Sequence, residues 1–598
     1  MRALVYQSVI ASLLILARSE TSGEHAACKA YPGTAAWPSQ ETWTKFNQSI
    51  GGKLIKPGAP PGAVCHPGQP TYDADKCTIV SAAWGTYDFH VADPVSNMWQ
   101  QFNNDTCLVD PNTPCSNAGY PAYVVNATTA LDVKIGLDFA RKHHIRVIVK
   151  SSGHDFQGRS QAPGALSIWV HHMQSLKTHD TFKPTGCDFT IDSPAVTVGG
   201  GSPVGLLYEE LDKINQTVVG GGAKSVTVGG YLTGGGHSIL SPRYGMGADN
   251  VLELEVVTPM GKIVTANECQ NEDLFWAMRG GGGSTFGVMT SVTIATHPTP
   301  KLVAGLVGIL SVDLDAPWIW DMVGYVASQL PYLMSKDVSG YAFFSKNMSI
   351  PDGNGGTLNY AGMGGEFMIL DTQDTSDMEA IWEPIIAHVN ATWPSAFSAI
   401  SVNPYPSFKS WYDLFYDQGV TGYDEYVGSR LLDEKALTTL DSVDVGQAFK
   451  LSEGSAYLVA GKGVHNAKPR GGSTSVTPTW RKAVVHAVSG HAFPPLNATA
   501  RAEALTIVDQ RTEPYRKLAP DMGAYVNENF PAEPNWEHTF WGENYKRLLK
   551  IKREVDPEDV LWCHPCVGND RWEEIGYRLC HIDSGYDSGV AAQYLMNK

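Results

Sequence analysis

No Lys/Arg-rich run occurs in this chain, and acidic residues outnumber basic ones, 61 against 44, for a formal charge of −17. Such a balance repels phosphate backbones and argues against a nucleic-acid partner. Beyond the first residues no apolar run reaches the roughly 18 residues that a spanning helix needs, so no membrane partner is expected. Low-complexity linkers and internal repeats are absent too. There is no G-x-S-x-G elbow and no H-E-x-x-H pair, which removes the usual serine-hydrolase and zinc-protease signatures.

What is present points to a secreted, multi-core protein. A chain of 598 residues exceeds what one core usually supports. Met1-Arg2 followed by the largely apolar Ala3 to Ala17, with small residues at Ala17 and Ser19, reads as a secretory signal over 1–19. Ten cysteines in such a chain can form up to five disulfides, whose connectivity spacing does not reveal. Asn47, Asn104, Asn126, Asn215, Asn347, Asn390 and Asn497 each open an N-x-S/T triplet and are expected on glycosylated surface loops.

The fold class expected is α+β. Residues 20–119 are rich in Pro, Gly and Cys with weak periodicity and read as a disulfide-held N-terminal arm. From 120 a regular pattern begins. A strand at Tyr123 to Val125 precedes a helix with Thr129 and Asp132 placed like a capping box and Leu131, Ile135 and Phe139 on one face; a strand at Ile145 to Val149 follows. Strands are expected at Phe189 to Ile191, Ala195 to Val198 and Thr217 to Val219, with a helix carrying Leu207, Leu211 and Ile214 between them. Leu252 to Thr265 reads as a hairpin turned at Pro259-Met260-Gly261, and Asp273 to Met278 as a helix stopped by Gly280. Past 300, helices at Trp318 to Met334 and Asp377 to Val389 alternate with strands at Gly340 to Ser345 and Leu358 to Ile369, the latter broken by Gly362, Gly364 and Gly365. The last helix, with Tyr545, Leu548, Leu549 and Val555 on one face, stops before Pro557.

Two glycine-rich stretches carry the chemistry. The first, Ser151-Ser152-Gly153-His154-Asp155-Phe156-Gln157-Gly158-Arg159-Ser160, directly follows a strand, so small residues leave backbone N–H groups and hydroxyls open to phosphate oxygens. It reads as a flavin-diphosphate loop with His154 as a covalent tether, although the loop alone equally allows a histidine satisfied by local hydrogen bonds. The second runs from Val219 to His237 and includes Gly220-Gly221-Gly222-Ala223-Lys224-Ser225-Val226 and Gly229-Gly230, then Gly234-Gly235-Gly236. So many glycines work against helix or strand, while interleaved Val226, Val228 and Leu232 anchor the stretch; a ligand lying on bare backbone accounts for both.

Other signatures fail on spacing or context. Gly222-Ala223-Lys224-Ser225 lacks the glycines of a P-loop, and Gly199-Gly200-Gly201 lacks the G-x-G-x-x-G spacing for NAD. Cys563-His564-Pro565-Cys566 has too little chain after it for a thioredoxin fold, so structural disulfides, with Cys580 among the candidates, are expected. Zinc on Cys563, Cys566 and His564 or His581 conflicts with an oxidising compartment, and no metal is expected. His143-His144 and His171-His172 read as ordinary half-exposed histidines.

Lys150 to Ser160, Gly220 to His237, Ser241-Pro242-Arg243-Tyr244-Gly245-Met246-Gly247-Ala248-Asp249-Asn250, Phe275-Trp276-Ala277-Met278-Arg279 with Gly280 to Gly283, and Asn544-Tyr545 stand in this order. Together they resemble the flavoprotein family of vanillyl-alcohol oxidase and berberine bridge enzyme, and within it secreted fungal oxidases of the isoamyl alcohol oxidase type. The resemblance covers about Pro121 to Gly576 and implies a PCMH-type FAD-binding domain over 120–299, a substrate domain over 300–540, and a C-terminal segment over 541–598 that returns to the FAD domain.

The resemblance further implies FAD bonded through His154 to the flavin 8α carbon. Many relatives add a second link from a cysteine where Ala223 stands, so a single link is expected here. Contacts to FAD are implied for Ser151, Ser152, Gly153, Asp155, Gly158, Arg159, Ser160, Gly221, Gly222, Ser225, Val226, Gly229, Gly230, Gly235, Gly236, His237, Val264, Asn527 and Asn544. Tyr525-Val526-Asn527 reads as a strand whose alternate side chains share one face, with Tyr525 either a packed core residue or the base that accepts the substrate proton. The expected activity is hydride transfer from an alcohol-type small molecule to FAD, with molecular oxygen regenerating the flavin and yielding hydrogen peroxide. A carbohydrate oxidase or a natural-product tailoring enzyme is the near alternative, and a secreted glycoprotein without a cofactor the distant one.

Overall fold

The computed structural model describes residues 28–351 and 356–582. The expected leader, 1–19, lies outside the described residues. Strand Tyr123–Asn126, helix Ala130–Lys142 and strand Val147–Lys150 form the β-α-β unit, with strand Leu166–Trp169 parallel to both strands and between them. Thr129 and Asp132 make the reciprocal capping box. The fully buried side of this helix is Val133, Leu137 and Ala140, whereas Leu131 is exposed. Phe139 is covered differently: Phe46 stacks on it with ring centroids 4.0 Å apart.

That contact adds packing to the disulfides expected to hold the N-terminal arm. Its helix Gln40–Ser49 buries Trp43 and Phe46 in the core of the β-α-β unit, and Leu54–Ile55 pairs antiparallel with Val125 and Val124. Helices Ala74–Ala83 and Tyr87–Ala92 follow. All ten cysteines pair, as Cys28–Cys580, Cys65–Cys77, Cys107–Cys115, Cys187–Cys269 and Cys563–Cys566, so Cys580 joins the two ends of the chain and leaves the C-x-x-C pair bonded to itself. That pairing removes the thiolates a zinc site would need.

A five-stranded antiparallel sheet completes the first half, in the order Leu176–His179, Ala195–Gly199, Val288–Ala295, Val251–Val257 and Ile263–Asn267. The expected hairpin is its last pair. Phe189 to Ile191 is not a strand; Ile191 makes one isolated bridge to Phe182. Helix Val204–Asp212 ends before Ile214, and the strand expected at Thr217 to Val219 is reduced to Gln216–Thr217. The glycine stretch, expected to be irregular, contains helix Val228–Gly234, whose Val228 and Leu232 are buried among the apolar residues of this half.

The second half is a seven-stranded antiparallel sheet in the order Phe397–Tyr405, Leu302–Ser311, Thr357–Leu370, Ser339–Pro351, Ser455–Leu458, Ala483–Phe493 and Asp424–Asp433. Helices Ile319–Ser328, Thr375–Thr392, Ser442–Ser452 and Ala498–Leu518 pack against it. Gly362, Gly364 and Gly365 do not break strand Thr357–Leu370, because neighbours on both sides hold its ladder. The helix expected over Trp318 to Met334 is two, Ile319–Ser328 and Leu330–Ser335, since Pro331 cannot donate to the preceding turn. The final helix, Tyr545–Val555, buries Leu548 and Ile551 in the cluster that holds Phe275 and Trp276. No helix among the described residues is long and apolar enough to cross a membrane.

Candidate active site

Between the two halves lies a cavity of about 790 Å³. Its first wall begins where strand Val147–Lys150 ends. Gly153, at a φ of 93°, takes a turn that side chains rarely adopt and delivers His154 to the cavity. His154 Nε2 lies 2.8 Å from Ser225 Oγ, and the Tyr87 ring stands 4.6 Å away. Burial, followed by the nearby Lys150 and His90, pushes the His154 pKa down to about 3, so the ring is neutral at ordinary pH. Lys150 is buried beneath the loop, donating to the carbonyls of Asp93 (2.8 Å) and His90 (3.1 Å). Burial pushes its pKa down to about 8.

Ser151, Ser152, Asp155, Arg159 and Ser160 line the same wall. Asp155 holds Arg159 through Nε at 2.9 Å and through Nη2, and Arg159 Nη2 also donates to Asn527 Oδ1 at 2.9 Å. Among the described residues the buried Nη1 has no hydrogen-bond partner. Gly158 does not line the cavity; it turns at a φ of 73° against Phe102.

The second stretch supplies Gly221, Gly222, Val226, Gly229, Gly230 and His237 to the lining. A Cβ on Gly230 would meet no atom within 4 Å. At Gly234 a Cβ would fall 2.1 Å from Asn527 Nδ2, so bare backbone is needed there for the side chain that joins the walls. Ser225 lies behind His154, and Gly235 and Gly236, with φ of 115° and 71°, turn the chain outside the lining. Two expected contacts lie elsewhere. Val264 pairs with Val256 in the hairpin, and Asn544 donates to Val476 O at 2.9 Å.

The roof comes from the seven-stranded sheet. Its register sets Glu366 opposite Tyr341, Tyr341 opposite Tyr457, and Tyr457 opposite His486, a row across four strands. Tyr525 and Asn527 reach the cavity from a loop rather than the expected strand, yet still meet: Asn527 Nδ2 donates to Tyr525 Oη at 2.9 Å and to Gly230 O at 3.2 Å. Burial, with Glu528 adding to it, pushes the Tyr525 pKa above the ordinary phenol value, so Tyr525 holds its proton.

Sequence reasoning missed Glu528. Its carboxylate contacts His237 Nε2 at 3.1 and 3.2 Å and His486 Nε2 at 3.0 Å. Burial alone would raise the Glu528 pKa, but the two imidazoles outweigh it and hold the carboxyl well below its ordinary range. An ionised carboxylate only accepts, so both Nε2 atoms carry hydrogens. These ligand atoms are within 4.8 Å of one another, close enough for a metal ion. However, neither Nδ1 has a hydrogen-bond partner among the described residues, whereas metal-bound imidazoles ordinarily donate through their second nitrogen. The set therefore reads as a hydrogen-bonded base cluster. The adjacency of Glu528 to Asn527 was the one available signal; nothing in the sequence links it to His237 or His486.

With this geometry in view, the comparisons with known proteins become specific. An FAD binding domain model matches residues 121–267, and a berberine and berberine-like model matches 524–568. An FAD-linked oxidoreductase from Arthroderma benhamiae is 33% identical, covering 97% of this chain and 100% of its own. The chain belongs to the VAO-type, berberine bridge enzyme-like FAD-linked oxidoreductases. A VAO-type flavoprotein oxidase from Thermothelomyces thermophilus is 32% identical over 92% of this chain and 95% of its own. The crystal structure of a VAO-type flavoprotein from Myceliophthora thermophila superposes with a TM-score of 0.86 at 29% identity, covering 93% of this chain and all of that one.

The protein is thus an α+β FAD-linked oxidoreductase with a PCMH-type FAD-binding fold, acting on a small molecule. Its cavity fits the cofactor. The volume is in the range of about 300–1,000 Å³ usual for such ligands. Bare backbone at Gly230 leaves room for a flat group, and the orphaned Arg159 N–H awaits an acceptor.

Proposed function

We propose that this enzyme is a secreted, glycosylated oxidase that takes hydride from an alcohol-type substrate onto FAD tethered at His154, with molecular oxygen as final acceptor. When bound, FAD supplies the two-electron acceptor that no side chain offers. The observation that carries the tether is the state of His154: a neutral imidazole in the cavity wall, engaged at Nε2 by Ser225 and free to attack through Nδ1. Ala223 faces the same cavity without a nucleophile, which supports a single link.

Proton removal falls to the cluster rather than to Tyr525 alone. Because Tyr525 keeps its proton, it serves to hold the substrate oxygen, while His237, which lines the cavity and is held by Glu528, accepts the hydroxyl proton. Glu528 orients the ring of His237 and stabilises the imidazolium formed.

Five disulfides that leave no free cysteine support an oxidising compartment. Of the seven triplets, Asn215, Asn347, Asn390 and Asn497 are exposed and suited to glycans. Asn47, Asn104 and Asn126 are half-buried, and Asn47 Oδ1 already accepts from Leu54 N.

The test is denaturation. Wild-type protein should keep flavin fluorescence in a denaturing gel band, the flavinylated peptide should contain His154, and H154A should give a dark band while still binding some FAD. Complete flavin release from wild type would refute the tether, and colourless native protein would refute the flavin reading. Hydrogen peroxide release with a panel of alcohols checks the acceptor.

A further inference from the structure

The row of side chains across the roof has two chemically different ends. Strand pairing sets His486 opposite Tyr457, Tyr457 opposite Tyr341, and Tyr341 opposite Glu366, and residues paired in this way share one face of a sheet. At the inner end, the fully buried His486 belongs to the base cluster, whose His237 ring lies 6.1 Å from that of Tyr457 and 5.2 Å from that of Tyr525. At the outer end, Glu366 is paired on its other side with Leu306, which is 58% exposed. The row therefore runs from the proposed site of proton removal toward the surface. Three strand spacings of about 4.8 Å separate Glu366 from His486, roughly 14 Å in all.

Glu366 faces the cavity with half of its carboxylate uncommitted. Trp411 Nε1 donates to Oε1 at 2.8 Å, and among the described residues no hydrogen bond or ion pair reaches Oε2. Burial pushes its pKa up to about 7, against the lowering effect of the Trp411 bond. The two residues between the ends, Tyr341 and Tyr457, are aromatic, with ring centroids 5.1 Å apart, and both line the cavity. An acceptor thus stands at the far end of an aromatic ramp that leads to the base cluster.

Resting on the alcohol-oxidase reading of this cavity, we infer that Glu366 determines specificity by accepting a hydrogen bond from a second hydroxyl at the far end of an extended apolar or aromatic alcohol, whose reacting hydroxyl lies at His237. An ionised carboxylate oxygen only accepts, so a ligand that brings a donor satisfies it. A methyl ether in the same place brings another acceptor and leaves Oε2 bare. A single-ring alcohol is too short to engage both ends of the row, whereas two linked rings reach.

The test uses the full-length holoenzyme and four rigid probes: 4-biphenylmethanol, its 4′-hydroxy and 4′-methoxy derivatives, and the shorter 4-hydroxybenzyl alcohol. Binding is read by calorimetry on enzyme reduced beforehand, so that no turnover intervenes, and flavin reduction is followed separately by anaerobic stopped-flow. At pH 8 the 4′-hydroxy probe should bind at least about tenfold more tightly than the 4′-methoxy and unsubstituted ones. That preference should shrink as the pH falls through about 7 and Glu366 takes up a proton. Its titratable neighbours do not mimic this: Tyr341 and Tyr405 have pKa values above the ordinary phenol value, and Lys409 and Asp413 on the Trp411 helix pair with each other. A charge change at His237 would act on all the biphenyl probes alike, since they share one reacting alcohol. E366Q should erase most of the preference, with normal flavin content and Tm showing an intact fold, and the affinity of 4-hydroxybenzyl alcohol should not respond to it. Equal affinity for the 4′-hydroxy and 4′-methoxy probes, a preference that survives E366Q, or no saturable binding of any probe would overturn the inference. If no alcohol reduces the flavin, the proposed reaction is refuted instead, and the order of binding still decides the role of Glu366.

Discussion

On the FAD-domain side, the cavity wall is largely main chain: Gly153 turning His154 inward, Gly221 and Gly222, and the bare face of Gly230. On the opposite side it is made of large side chains, Glu366, Tyr341 and Tyr457 with His486 behind them, set in line by strand register. The first wall suits a flat, invariant partner, because backbone offers close approach and repeating N–H donors. The second can be rewritten one side chain at a time without disturbing the ladder beneath. The proposed function thus assigns cofactor and substrate to different kinds of surface within one cavity.

Asn527 joins them. It accepts from Arg159 on the loop of His154, donates to Gly230 O on the glycine helix, and donates to Tyr525 Oη beside the roof. If the walls are separable in function, substitutions on the roof should change chemistry and spare flavin content, whereas those on the backbone wall should do the reverse. The largest effect expected is at Glu528. E528Q keeps the shape but leaves no charge to orient His237 and His486, so the rate of flavin reduction in anaerobic stopped-flow should fall by about a hundredfold or more. Flavin content should be unchanged. A rate within about twofold of wild type would remove the cluster from proton transfer.

The join itself is tested by G234A. An added Cβ would overlap the Asn527 amide at 2.1 Å and push it off Gly230, Tyr525 and Arg159 together. Overpacking of this kind costs about 1–3 kcal/mol, read as a lower denaturation midpoint, and should loosen FAD in an unlinked H154A background. Normal stability and normal FAD retention would show that the walls are held by something other than Asn527.

The same contrast explains how much the sequence disclosed. The Ser151 to Ser160 loop and the Gly220 to His237 stretch were legible because a backbone site advertises itself in composition, glycine and serine clustered where helix and strand would be weakened. Even there, helix Val228–Gly234 was missed, since burial of Val228 and Leu232 outweighs poor helix propensity. Val264 and Asn544 were carried over by resemblance alone, and neither reaches the lining. The roof was nearly silent. Glu366, Tyr341, Tyr457 and His486 come from four strands, and only the pairing that aligns them turns four ordinary residues into a surface. The packing of the N-terminal arm was not legible for a related reason: Trp43 and Phe46 face a core supplied by residues more than 70 positions later, such as Tyr123 and Phe139.

A smaller effect is expected at Tyr525. Y525F deletes the hydroxyl that accepts from Asn527 and is proposed to hold the substrate oxygen, but leaves His237 and Glu528 intact, so flavin reduction should slow by about tenfold rather than collapse. A loss as large as that of E528Q would return the base role to Tyr525, and an unchanged rate would leave it a packing residue.

The smallest effect on the fold should come from A223C, which asks whether the backbone wall can be given a side-chain function. Ala223 is 5% exposed, lines the cavity, and stands two residues before the Ser225 that engages His154. One sulfur added at the cavity edge introduces no charge and needs no backbone change, so stability should move by no more than about 0.5 kcal/mol. If this position corresponds to that of the second tether in doubly linked relatives, part of the A223C protein should carry FAD bonded both to His154 and to the introduced thiol, seen as a cross-linked flavin peptide by mass analysis. The thiol alone should then retain flavin in the denatured H154A/A223C double variant, which His154→Ala by itself cannot do. Single linkage through His154 in A223C, with a dark band from the double variant, would mean that the glycine stretch approaches FAD along a different path, and that the wall serves only as a surface to lie against.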